Sequence, residues 1–189
     1  MIRATGTGAL LLLSACGPRP AAADPQSCGP TAASLAPGAT AGALEGRYRV
    51  RLVATSGPRS SGAADGMLVL TRTDTADPQP RHRHVLVGHG DLRVEDVGGP
   101  ALDVGSTDGA RPGVVGFDLP PLPDSTAPRV LLRLGALANR QDVARIEGPY
   151  AVLRVREIRE DGFAGDWTGG APLPTAEGYF CAWRSEEND

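Results

Sequence analysis

The chain has 189 residues, 22 of them acidic and 19 basic, for a formal net charge of −3, and 41% of it is hydrophobic but only 4% aromatic. Every basic residue is arginine, and the acidic balance is the wrong sign for a phosphate-binding footprint, so no nucleic-acid partner is expected. The length suits one domain with a respectable core and is short for two.

The chain opens Met1-Ile2-Arg3, continues without charge from Ala4 to Leu13, and reaches Leu13-Ser14-Ala15-Cys16. This is the layout of a cleavable export signal, and its apolar run is shorter than the about 20 residues that a spanning helix needs. Leu13-Ser14-Ala15-Cys16 resembles the bacterial lipobox, a Leu, two small residues and the Cys that receives lipid before cleavage. The resemblance implies that residues 1–15 are a signal peptide, that Cys16 carries diacylglycerol and a further acyl chain such as palmitate, and that the membrane is a partner through that lipid. In lipoproteins of this kind Asp after the Cys favours the inner membrane, so Gly17 implies the outer membrane, with the chain facing the periplasm. Each buried methylene contributes about 0.8 kcal/mol, so several chains together make attachment effectively permanent. Cleavage would remove Arg3 and no acid, taking the net charge to −4.

Residues 16–43 are dominated by Ala, Gly, Pro, Ser and Thr with no sustained hydrophobic period, and are expected to form a lipidated, flexible tether. With Cys16 lipidated, Cys28 and Cys181 remain in a compartment that permits disulfides; one bridge between them is expected, the alternative being two free thiols. A bridge would pin the tether's middle to the folded body.

From Gly46 the texture changes. Tyr48, Val50, Leu52 and Ala54 alternate with Arg47, Arg49, Arg51 and Val53, the period of a half-buried strand. Gly57 to Gly66 supplies turn residues, and Met67 to Thr71 reads as the returning strand. Further short runs rich in β-branched or aromatic residues follow at His84 to Val87, Ala101 to Val104, Val114 to Leu119, Val130 to Leu134, Tyr150 to Ile158, Phe163 to Trp167 and Tyr179 to Trp183. The helix-like window from Leu131 is broken by Gly135, leaving a strand followed by one helical turn at Asn139 to Val143.

About eight short strands in a body spanning residues 44–185 must hide their edges. An all-β, antiparallel up-and-down barrel does so, with a two-sheet sandwich as the alternative, and residues 186–189 are expected to be a disordered tail. Gly46-Arg47-Tyr48 on the first strand and Arg184 at the end of the last are similar to the Gly-x-Trp and the packing Arg of the lipocalin group. That resemblance implies a lipocalin-like barrel with a ligand cavity in its mouth, for which Tyr48, Trp167 and Trp183 are the candidate lining residues.

The histidines fall at His82, His84 and His89. His82 and His84 share a strand face and are the candidates for a metal site, but neighbouring Arg81 and Arg83 repel a cation and no third ligand is assured by spacing, so no metal and no cofactor are expected. Gly105 to Gly109 reads as a turn. The arginines of Arg47-Arg49-Arg51 and of Arg154-Arg156-Arg159 read as solvated strand exteriors. No Gly-x-Ser-x-Gly, phosphate loop or HExxH is present, so no catalytic residue is nominated. The expected role is non-catalytic, either binding a small apolar ligand or serving as a structural part of the envelope, with a hydrolase of unrecognised site as the alternative.

Overall fold

The computed structural model describes residues 28–73, 84–106, 112–135, 148–171 and 173–185. Cys16, His82, the turn expected at Asn139 to Val143, and the signal peptide and tail expected at 1–15 and 186–189 lie outside the described residues. Eight antiparallel strands follow one another round a closed barrel: β1 (Gly46–Ser56), β2 (Ala63–Arg72), β3 (His84–Gly90), β4 (Val114–Leu119), β5 (Arg129–Leu134), β6 (Tyr150–Arg159), β7 (Gly162–Gly170) and β8 (Pro174–Arg184). β8 returns to β1 over a register running from Tyr48 opposite Arg184 to Ala54 opposite Gly178, which removes both sheet edges. The architecture is the up-and-down barrel and not the sandwich.

Alternation along each strand decides what fills the barrel. On β1 the even-numbered Tyr48, Val50, Leu52 and Ala54 are buried while Arg47 and Arg49 are exposed. Leu68 and Leu70 of β2, Leu86 of β3, Leu132 and Leu134 of β5, Leu153 of β6, Phe163 and Trp167 of β7, and Phe180 of β8 join them in one cluster. Its aromatic centre is stacked edge to face, Tyr48 to Phe163 at 4.9 Å and Phe163 to Phe180 at 5.8 Å between ring centroids, the arrangement ring quadrupoles prefer. Toward the other end Trp167 is fully buried, and its Nε1 donates to the Val53 carbonyl at 3.0 Å, so the indole enters the core with its polar atom satisfied.

Both ends are closed by the chain itself. A 3-10 turn at Ala41–Leu44 packs at the end where β1 begins, and one at Val94–Val97 packs at the other, with Leu44, Leu92, Val94 and Val97 all buried. The run Ala101 to Val104, expected as a strand, is instead an irregular segment that brings Leu102 and Val104 against the core; Gly105 bridges to Pro112 as the described start of the expected turn. Its apolar residues are there for plugging, which local composition cannot distinguish from pairing.

The expected tether boundary at residue 43 also moves. From Cys28 onward the chain is mostly exposed but held to the barrel at points: Leu35 and Ala41 belong to the core cluster, at 5% and 0% exposure. Its covalent hold is the Cys28–Cys181 disulfide, with Cα atoms 5.8 Å apart.

Candidate functional site

Residues 28–45 form a strap round the end of the barrel where β1 begins. At its start Cys28 meets Cys181 on the outward face of β8, the face opposite Phe180 and Ala182. Next, Thr31 Oγ1 donates to Glu157 Oε2 on β6 at 3.3 Å, and Arg159 donates twice to the same carboxylate at 2.9 Å. These bonds to the charged form hold the Glu157 carboxyl below its ordinary range, that from Arg159 most strongly and against the opposing effect of burial. Leu35 then enters the core, the Ala41 amide donates to Asp118 Oδ1 of β4 at 2.6 Å, and Arg72 Nη2 of β2 donates to the Gly42 carbonyl at 3.0 Å. An extended segment rich in small residues can follow this curved course because few of its side chains need room of their own.

Where the strap passes β5 and β6, it stands away from the 122–128 loop that joins β4 to β5, and a cavity of about 340 Å³ lies between them. Leu35, Leu122, Pro128, Val130, Leu131 and Val155 give its mixed lining apolar side chains, while Arg129, Arg154 and Arg156 bring guanidinium groups; Ser34 and Ser125 contribute hydroxyls, and no carboxylate of the described residues lines it. Leu131 is paired directly across from Arg154, so an apolar and a cationic side chain stand side by side on the outer wall. Arg156 Nε is engaged by Asp166 Oδ2 at 2.8 Å, whereas Arg129 donates to the Pro120 carbonyl at a long 3.5 Å. Arg154 is exposed, with no anionic partner among the described residues.

The residues singled out in the sequence are distributed differently. Tyr48 and Trp167 are interior, buried to 1% and 0% exposure against core neighbours, and neither lines the cavity; Trp183 is on the outward face of β8, opposite Arg49 and Gly162. Tyr48 nonetheless meets Arg184, whose guanidinium lies 5.3 Å from the ring centroid and whose Nη2 donates to the phenol oxygen at 3.0 Å. His84 faces outward beside Phe117, with ring centroids 6.5 Å apart. The register irregularity between His84 and Leu86 puts His89, opposite Val69, on the same outer face as His84. At about 3.3 Å per residue the two lie at opposite ends of the strand, well over 10 Å apart, and cannot share one ion. His82 lies outside the described residues, among which no cluster of three potential metal ligands occurs.

The cavity's lining was not legible as a site. Arg154 and Arg156 read as solvated exterior, which describes their exposure but not their neighbours, and Leu35 stands as a lone leucine within a run of small residues. That isolated Leu was the available signal. The chain matches no family model, no curated protein and no solved structure in the comparisons made.

Proposed function

We propose that this chain is an exported lipoprotein, cut before Cys16 and attached to the envelope by lipid on that residue, whose barrel performs a non-catalytic task at its rim. The task is to hold a small ligand, or to serve as a structural component, through the strap-bearing end and outer wall and not through a lumen. The observation that carries this reading is the state of the interior. Tyr48, Phe163, Phe180 and Trp167 lie in one core cluster with almost no exposure, and both ends of the barrel are plugged by the chain itself, by Leu35 and Ala41–Leu44 at one and by Leu92 and Val94–Val97 at the other. Lipid on Cys16 would lie twelve residues from Cys28, a reach of at most about 43 Å, which keeps the rim close to a membrane surface.

Intact-mass measurement of protein extracted from its own membrane in mild detergent tests this. The expected species begins at Cys16, carries acyl groups there and retains no second molecule inside the barrel. An unmodified Cys16 or a different start would overturn the envelope attachment. A small molecule released only on unfolding would overturn the rim reading.

A further inference from the structure

We infer that the cavity between the strap and the 122–128 loop is a binding site for a single-chain amphiphile with an anionic head, of the chemical class of a long-chain fatty acid; this deepens the rim-binding reading above and rests on it. Two features of the cavity point to that class. Leu35, Leu122 and Leu131 in the lining offer apolar surface to an alkyl chain, and Leu122, at 55% exposure, has surface that an occupant would cover. Three arginines, Arg129, Arg154 and Arg156, share that lining, and no carboxylate of the described residues does. One of the three, Arg156, is already matched by Asp166, leaving Arg129 and Arg154 as the pair toward an incoming anion.

Charge complementarity therefore asks for an anion, and the adjoining leucines ask for a chain attached to it. A carboxylate accepts from the planar guanidinium fork through two parallel N–H···O bonds, which suits Arg better than a point cation would. The volume of about 340 Å³ is at the lower end of the about 300–1,000 Å³ of small-molecule sites, a size for one chain and not for a two-chain lipid. The site's position gives such a molecule a route: it opens on the rim tied through Cys28 to the lipid-bearing end of the chain, where amphiphiles leaving a bilayer would first meet the protein. No covalent step is involved; the occupant is held.

The test uses the mature lipidated protein in phosphatidylcholine nanodiscs, titrated with laurate carrying carbon-13 at its carboxyl, empty nanodiscs giving the bilayer-partitioned signal to subtract. A saturable, shifted carboxyl resonance is expected. Dodecanol, which keeps the chain and loses the charge, should compete at least tenfold more weakly, and inorganic phosphate, which has charge and no chain, should not compete. Arg129→Gln with Arg154→Gln should raise the laurate Kd at least tenfold while melting temperature and the Cys28–Cys181 bridge are retained. Should that double variant fail to fold, Leu122→Asn, at an exposed position, should still weaken laurate several-fold. Absence of saturable laurate binding, equal competition by dodecanol, or binding indifferent to these substitutions would overturn the proposal. So would arginine-dependent recruitment to phosphatidylglycerol vesicles with no laurate site, which would make the face a bilayer contact. Failure here with lipid present on Cys16 would refute the groove alone; absence of that lipid would refute the envelope reading and leave laurate binding standing.

Discussion

The guanidinium of Arg184 lies 5.3 Å from the centroid of the Tyr48 ring and donates through Nη2 to the phenol oxygen at 3.0 Å, joining the last strand to the first where the barrel closes. The phenol in turn donates to the Glu45 carbonyl at 3.4 Å, so one hydroxyl links Arg184, β1 and the end of the strap. Gly46 makes the arrangement possible: its φ is +143°, and a Cβ there would come within 2.8 Å of Arg184 Nη1. Tyr48→Phe keeps the ring and removes the acceptor, and should cost about 1.5 kcal/mol, in the range for hydrogen bonds to charged groups. Arg184→Ala should cost about as much again through the lost cation–π contact. Because the two side chains touch, the double variant should be less destabilised than the sum of the single ones, by 0.5 kcal/mol or more in a denaturation cycle; strict additivity would show the contact to be energetically idle.

The same phenol gives the alkaline limb of stability a defined sign. Burial pushes the Tyr48 hydroxyl above its ordinary value, with Arg184 pulling the other way by its charge and hydrogen bond. A group that holds its proton more tightly when folded makes the native state bind more protons than the unfolded one. Its stabilising contribution is therefore complete below the unfolded value near 10 and is lost as pH rises through that value toward the folded one. Unfolding midpoints measured from pH 8 to pH 11 should fall more steeply for the native chain than for Tyr48→Phe. Parallel profiles would remove Tyr48 from the account.

Gly178 and Trp167 form a lock of the opposite kind, one built from an absence. They are paired directly across β7 and β8, and a Cβ at Gly178 would meet the Val53 carbonyl and sit 2.8 Å from Trp167 Nε1, the two partners of the indole's own hydrogen bond. Gly178→Ala must then displace backbone or the largest buried side chain, and should destabilise by more than about 2 kcal/mol. Gly29→Ala is the matched control, since nothing lies within 4 Å of a Cβ there. It should move the unfolding midpoint little. Equal effects at the two sites would refute the steric argument.

The barrel was legible where strand alternation is strong and failed to be where another role borrows strand-like residues. β4 runs over the expected Val114 to Leu119, because a run of apolar residues bounded by Gly and Pro leaves little choice of register. β7 and β8 extend past their expected limits to Gly170 and back to Pro174, since glycine and proline near a tight reversal hide pairing that the backbone still makes. Ala101 to Val104 misled in the other direction, its leucine and valine serving as a plug. The strap was hidden by composition: Ala, Gly, Pro and Ser describe a chain with little to bury, yet one disulfide, the buried Leu35 and Leu44 and a few hydrogen bonds to its backbone hold it. Since the cavity is bounded by that strap, the site went unseen with it. Periodicity within a strand says which face is outside; it does not say what crosses over that face.

The disulfide's contribution should separate into a global part and a local one. Cys28 and Cys181 are 153 residues apart in sequence, and on the chain-entropy model closing so long a loop stabilises by about 5 kcal/mol, with about 2–4 kcal/mol more typical of measured bridges. Cys181 faces outward from β8, while the interior on that strand belongs to Phe180 and Ala182, so removing the bridge opens no void in the core. Cys28→Ser with Cys181→Ser should therefore fold to the same barrel at a lower unfolding midpoint. The strap should lose more than the barrel does, because beyond Cys28 its first described side-chain hold is the 3.3 Å bond from Thr31 to Glu157, a contact worth little by itself near the surface. Amide hydrogen exchange should accelerate most over residues 28–36, moderately over Ala41–Leu44 where Asp118 and Arg72 still hold the backbone, and least in β1 and β8. If laurate binds under the strap, the double serine variant should bind it more weakly although Arg129, Arg154 and Leu122 are unchanged, because Leu35 and Ser34 form one wall of the cavity. Uniform acceleration across all eight strands would instead mean that the bridge holds the barrel as a whole and that the strap has no separate stability.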